Sequence, residues 1–237
     1  MSEASKIFVL GLLTAGFRKM YTPPHGPPPK EELVHSIKID IQSIRQKRLV
    51  FVRSGQILLA LAEIATMLAQ LYPTHRLSRV ILSKILLPNR TANLSFTRVQ
   101  VLAAIIWGFG TILRLRAIGT LGKFFRYEVS IQKDHELVTN GAYAWVRHPS
   151  YSGIMLSTIG WCLWHAAPQS WLRQSTFLNA ATGRGLLSLY ILGGIIPINA
   201  ITLGRMKIED DVLRKEFGEQ WEAWSKKVPY YVVPWVY

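Results

Sequence analysis

Five apolar blocks separated by basic segments dominate this sequence and set what it can fold into. They occupy residues 7–17, 49–72, 99–118, 151–167 and 185–203. About 20 apolar residues carry an α-helix across a bilayer, so 49–72, 99–118 and 185–203 are long enough alone. The shorter blocks 7–17 and 151–167 need their flanks. Arg53 and Glu63 interrupt the second block and Pro197 and Asn199 the fifth. Arg114 and Arg116 close the third, where their stems can lie in lipid while the charges reach water.

Composition sharpens this reading. Hydrophobic residues make up 49% of the chain, yet its formal charge is +14. Cations bordering apolar blocks fit a membrane protein meeting anionic headgroups. No basic stripe with interleaved aromatics lies outside the blocks, so no nucleic-acid partner is expected. There is no Gly-x-Gly-x-x-Gly after a strand, no Walker loop and no period-2 strand series. The single cysteine, Cys162, excludes an intramolecular disulfide and a thiolate metal cluster, and its neighbours Trp161 and Leu163 suit packing better than nucleophilic chemistry. The expected fold is an all-α integral membrane protein of about five transmembrane helices.

The first block has charges after it, at Arg18 and Lys19, and a weak positive end before it, where Lys6 is offset by Glu3. That is the wrong arrangement for a signal peptide and favours a retained span. A proline-rich connector, "TPPHGPPPKEE", follows. In residues 31–48, Leu33, Ile37, Ile41 and Ile44 recur at helical spacing among Lys38, Arg45, Lys47 and Arg48. Such a helix either lies on the membrane surface or packs on its neighbours. The segments 18–48, 73–98 and 119–150 are all basic, so positive charge does not decide orientation. The triplets at Asn89 and Asn93 tilt 73–98 toward the lumen, leaving the ends after the first, third and fifth blocks cytosolic.

Chemistry is expected in the two polar regions that hang from the last three blocks, 122–151 and 204–237, because polar groups at membrane depth are costly. Asn140-Gly141 suits a tight turn. Pro149 pushes His148 out of helical geometry and starts the next helix, leaving His148 and Ser150 at its mouth. Arg205 and Glu209, four apart, share one helix face within reach of Arg147 and His148. Asp210 and Asp211 are expected to face water. Phe217-Gly218 reads as the helix end. Trp221, Trp224, Tyr230 and Tyr231 suit either the membrane interface or the cover of a pocket. Taken alone, the Arg205–Glu209 spacing also fits a surface ion pair, and the Pro149 segment a plain helix start.

The stretch "YEVSIQKDHELVTNGAYAWVRHPSYSG", followed some fifty residues later by "RMKIEDDVLRKEFGEQWEAWSKKVP", resembles the isoprenylcysteine carboxyl methyltransferase family. The resemblance covers roughly the C-terminal half, and Ala142 stands where proline is frequent. It implies a multi-pass enzyme of the endoplasmic-reticulum membrane with its active site facing the cytosol. Such an enzyme transfers a methyl group from S-adenosylmethionine to the α-carboxylate of a C-terminal S-farnesyl or S-geranylgeranyl cysteine. The partners implied are prenylated cysteines of CaaX-processed proteins and membrane lipid; no metal is implied. Carried over by position, the cofactor would meet Glu128 (Gln in some members), His135, Glu136, Leu137, Val138, Tyr143, His148, Pro149, Ser150, Tyr151 and Glu209. Arg205 would hold the substrate carboxylate, and Arg205 with Glu209 would form the catalytic pair. On this reading residues 1–118 are N-terminal membrane helices with their connector, and 119–237 the catalytic region. The alternatives are a methyltransferase of the same fold acting on a phospholipid amine or small isoprenoid acid, and a non-catalytic membrane scaffold.

Overall fold

The computed structural model describes residues 2–26, 29, 39–86 and 92–236. Of the helix read at 31–48, residues 31–38 lie outside the described residues, as does the triplet beginning at Asn89, while 39–48 are helical and begin a helix that runs to Leu71. The described residues form nine α-helices and no strand. They are α1 (Glu3–Met20), α2 (Ile39–Leu71), α3 (Arg76–Ile85), α4 (Arg98–Leu121), α5 (Pro149–Ala166), α6 (Trp171–Gln174), α7 (Ala181–Tyr190), α8 (Ile196–Phe217) and α9 (Glu219–Lys227).

All five apolar blocks are helical. Among the described residues, three helices are long and apolar enough to cross a membrane: Gln46–Leu71, Arg98–Phe124 and Ala181–Phe217. Their outward side chains, among them Leu58, Leu61, Phe109, Ile112 and Leu192, are exposed. That is a surface suited to lipid rather than water. The third span is continuous because a π-helical turn, Ile191–Ile195, joins α7 to α8. Pro197 follows at once and lacks the N–H a regular helix would use. Asn199 Nδ2 donates to the Ile195 carbonyl at 2.9 Å, so the polar side chain at this depth is satisfied on its own helix.

The α4–α5 contact is unusually close, and glycine is the cause. A Cβ added to Gly160 would sit 2.4 Å from the Trp107 amide nitrogen, and one on Gly153 would sit 2.6 Å from the Gly110 carbonyl. Small residues let membrane helices approach backbone to backbone, which is how packing replaces the hydrophobic effect there. α1 lies against α2 and α4, with Leu10, Phe17 and Met20 buried against Trp107 and its neighbours.

Arg114 does not reach toward water as its place at the end of an apolar block suggested. It is 2% exposed. Its Nε donates to the Met20 carbonyl at 2.9 Å, Nη1 to Ser150 Oγ at 2.6 Å and Nη2 to the Tyr127 hydroxyl at 3.0 Å. Three ready acceptors from α1, α5 and the loop after α4 make interior burial tolerable. One side chain thereby ties together the three segments that frame the polar end of the bundle.

Candidate active site

The site begins with how the chain leaves α4. Gly122, at φ 53°, stops the helix, and a short 3₁₀ turn, Gly122–Phe124, sends the backbone into a loop running to Asn140. Gly141, at φ 59°, supplies the expected turn and begins a second 3₁₀ turn, Gly141–Ala144. Pro149 then opens α5, with His148 as the residue before its first turn. From the other side, α8 ends at Phe217 with Gly218 at φ 49°, and α9 folds back beneath the loop. The residues after α9 return to the start of α5. The Arg147 and His148 amides donate to the Tyr230 and Tyr231 carbonyls at 2.9 and 2.8 Å, and Ser152 Oγ donates to the Val232 carbonyl at 2.5 Å.

These elements line a cavity of about 140 Å³ that opens to the surface. Of the residues singled out in the sequence, Glu128, His135, Glu136, Leu137 and Val138 line it from the loop. Tyr143, His148, Ser150 and Tyr151 line it from the turn and α5, and Glu209 from α8. Pro149 does not: it borders an outer apolar groove with Trp145 and Val233, and its contribution is to start α5. Arg205 lines a second, smaller cavity of about 50 Å³.

Glu209 is the junction of the polar network. It accepts from the Tyr151 hydroxyl at 2.5 Å and from Arg205 Nη2 at 2.8 Å on Oε1, while its Oε2 lies 3.6 Å from His148 Nδ1. Arg205 Nη1 also donates to the Tyr127 carbonyl. The spacing of Arg205 and Glu209 therefore produces a contact within the site rather than on the surface.

Asp210, expected to face water, is 4% exposed. Its Oδ1 is hydrogen-bonded to His148 Nε2 at 3.0 Å, and its Oδ2 is 3.3 Å from Arg147 Nε. The reason is that α8 is covered on two flanks, by the loop after α4 and by residues 147–148 with the C-terminal segment. Adjacent positions about 100° apart around the helix can then both point inward. Asp211 is exposed, as expected. The imidazole of His148 lies between the rings of Tyr151 and Tyr231, with centroids at 5.4 and 6.0 Å and planes within 8°. Arg147 stacks on Tyr231 at 4.0 Å and Trp221 at 5.7 Å. Of the late aromatics, Trp224 lines the pocket, while Trp221 and Tyr231 pack on Arg147 and His148, which line it.

His135 is stacked on Phe124, with centroids 4.7 Å apart and planes 4° apart, and meets the edge of Phe217 at 5.6 Å. Burial lowers its pKa, with Glu216 opposing weakly, so the neutral ring is favoured. Burial also pushes the Tyr143 phenol well up, keeping it a neutral donor to the Ala117 carbonyl.

The second cavity shares Phe125, Arg126 and Tyr151 with the first. Its polar end carries Arg48, Arg114, Arg126 and Arg205 and no carboxylate, and its remaining wall includes Leu49, Ile154, Ile198 and Ile201. Sequence reasoning missed Asp210, Arg126 and the shared wall; only the four-residue spacing in α8 hinted that its polar face pointed inward.

Comparison with known proteins gives this arrangement a context. Residues 102–180 match the model of the isoprenylcysteine carboxyl methyltransferase family, a span that includes the loop and the start of α5 but ends before Arg205. The protein-S-isoprenylcysteine O-methyltransferase of Homo sapiens is 30% identical over 135 residues, 56% of this chain and 40% of the human protein. The Tribolium castaneum protein of that name is 33% identical over 121 residues, 50% of this chain and 36% of its own length. The Schizosaccharomyces pombe protein is 31% identical over 144 residues, 60% of this chain and 52% of its own. The matched segments thus span about half or less of these relatives. Over residues 102–180 by the family's model, and over about half its length by its relatives, this chain is similar to the isoprenylcysteine carboxyl methyltransferase family.

Proposed function

We propose that the chain methylates the C-terminal α-carboxylate of an S-farnesyl or S-geranylgeranyl cysteine, using S-adenosylmethionine, in proteins processed at a CaaX end. The observation that carries this reading is the pair of cavities meeting at Tyr151. One is lined with carboxylates and aromatics, the other with arginines and aliphatic side chains.

The first cavity suits the cofactor. Glu128, Glu136 and Glu209 offer anions to a cationic molecule, and the buried Nδ1 of His135 has no protein partner among the described residues. Leu137, Val138 and Tyr143 supply apolar and aromatic wall, and Ser150 a hydroxyl. When bound, S-adenosylmethionine supplies an electrophilic methyl group that a carboxylate oxygen accepts by in-line displacement, without a general base. A carboxylate is already ionised near neutral pH, which explains why no acid–base dyad is needed.

The protein's work is positioning. Glu209 and the Tyr127 carbonyl fix the Arg205 guanidinium, which forks onto a carboxylate as lysine would not. Tyr151, bonded to Glu209, stands between the two cavities and sets how the reactants meet. The aliphatic wall of the second cavity receives the prenyl tail, entering laterally from lipid. In this reading α1 and α5 also cross the membrane. The site faces the cytosol at the endoplasmic reticulum. A cavity of four arginines favours an anionic acceptor over a phospholipid amine.

Radiolabelled methyl transfer to N-acetyl-S-farnesylcysteine in membranes tests the reading. The wild-type chain labels the product, and Arg205→Ala and Glu209→Ala each lower kcat/KM by about a hundredfold. Absence of transfer by the wild-type chain overturns the activity; transfer unchanged in Arg205→Ala removes the carboxylate clamp. A photoactivatable prenyl substrate should label α4, α5 and α7–α8, and labelling confined to residues 219–236 would exclude lateral entry.

A further inference from the structure

Arg205 is not the sole cation facing the shared wall. Arg126 follows Phe125 in the loop after α4 and lines both cavities, whereas Arg205 lines only the second. Its Nη1 donates to the Lys123 and Phe125 carbonyls at 3.0 and 3.2 Å, which anchors the guanidinium against its own backbone. Its Nε is buried without an acceptor among the described residues. No described carboxylate lies within ion-pairing distance of it, although Glu128 is two residues away. A buried donor on a cation without an anion is costly and marks a place where a ligand's acceptor completes the bonding.

The other arginines divide the labour. Arg114 is engaged by all three nitrogens and serves the frame. Arg205 already shares charge with Glu209. Arg126 comes from the opposite wall and keeps its charge unmatched. Resting on the carboxylate-methylation reading, we propose that Arg126 is the second arm of a two-arginine clamp. It binds the acceptor carboxylate from the loop side while Arg205 binds it from α8. The clamp makes the second cavity selective for ionised acceptors and indifferent to neutral esters of the same shape. It therefore separates substrate from product by charge at the point where the two cavities meet.

The test compares an acid with its ester on the full-length chain in nanodiscs. Tryptophan-fluorescence titration measures binding of N-acetyl-S-farnesylcysteine and of its methyl ester. The wild-type chain prefers the acid. Arg126→Gln weakens the acid by about tenfold or more and leaves the ester unchanged, as expected for loss of a charge-assisted bond. Arg126→Lys restores part of the preference. Equal weakening of acid and ester, or no change in either, overturns the clamp. Palmitate and methyl palmitate, titrated in the same way, separate the two ideas. If the wild-type chain ignores prenylcysteine but prefers palmitate to its ester and Arg126→Gln abolishes that preference, the function fails and the clamp stands. If Arg126→Gln leaves the acid preference intact in both pairs, the clamp fails alone.

Discussion

Lys6 Nζ and Glu63 Oε1 meet at 2.7 Å with neither side chain exposed. The pair lies about 20 Å along α1 from Met20, the residue that accepts from Arg114 at the site, counting 1.5 Å per residue. Lys6 also donates to the Leu94 and Gln169 carbonyls, and Glu63 accepts from Trp164 Nε1. The acidic interruption in the second apolar block is thus the counter-charge of α1.

Removing one partner leaves an unpaired charge in an apolar setting. Lys6→Met is expected to lower stability by about 3–5 kcal/mol. The double variant Lys6→Met, Glu63→Gln should recover most of that loss, since glutamine still accepts from Trp164. Thermal unfolding in detergent reads both, and a double variant no better than the single one would contradict the pairing.

Asp210 holds two basic side chains that line the first cavity. Asp210→Ala strands Arg147 and His148, with an expected cost of about 3–5 kcal/mol. Asp210→Asn keeps an acceptor and should cost less. If both variants melted with the wild-type chain, Asp210 would not be the buried anion described here.

The α4–α5 contact makes a sharp steric forecast. Gly160→Val pushes atoms into the Trp107 backbone and should abolish the monodisperse peak in detergent size exclusion. Gly119→Ala, in α4 but with nothing within 4 Å, should be neutral or stabilising by about 0.5–1 kcal/mol. Survival of Gly160→Val would require a looser interface.

His135 gives a pH dependence with a defined sign. Its folded pKa lies below the unfolded value of about 6.5 because burial disfavours the cation. Below that value the unfolded chain takes up a proton that the folded chain resists, so stability falls with pH until the folded pKa is passed. Thermal scans between about pH 7 and pH 5 should show this decline, and His135→Phe should flatten it. A wild-type profile level over that window would exclude the burial assigned to His135.

Much of this site is legible in the sequence. Pro149 had to start a helix, Gly218 to end one, and the spacing of Arg205 and Glu209 had to align them. These are local consequences of backbone chemistry. Asp210 was misread because one covered flank of α8 was inferred where two exist, and the second is formed by Tyr230 and Tyr231 returning from the far end of the chain. Arg114 was misread for a similar reason: its three acceptors lie in α1, α5 and the loop, and a linear pattern does not display them. The loop positions from Glu128 to Val138 carry no periodicity that could have marked them as one wall; the family resemblance named them, and the turn at Gly122 brings them together.

The π-helical turn at 191–195 sets the angular phase of everything after it. Above it, α7 directs Tyr190 at Gly55 and the Val52 carbonyl of α2; below it, α8 directs Arg205 and Glu209 at Tyr127 and Tyr151. A π turn holds one more residue than the α-helical turn it replaces. A regular α-helix through the same residues would turn everything beyond it by about 100° and aim Arg205 and Glu209 at empty flank. Deleting Gly193, whose Cβ position touches only Leu189, removes the extra residue instead, so the turn can close with the phase beyond it unchanged. The helix thus absorbs one surplus residue where it sits, and both of its ends keep their aim.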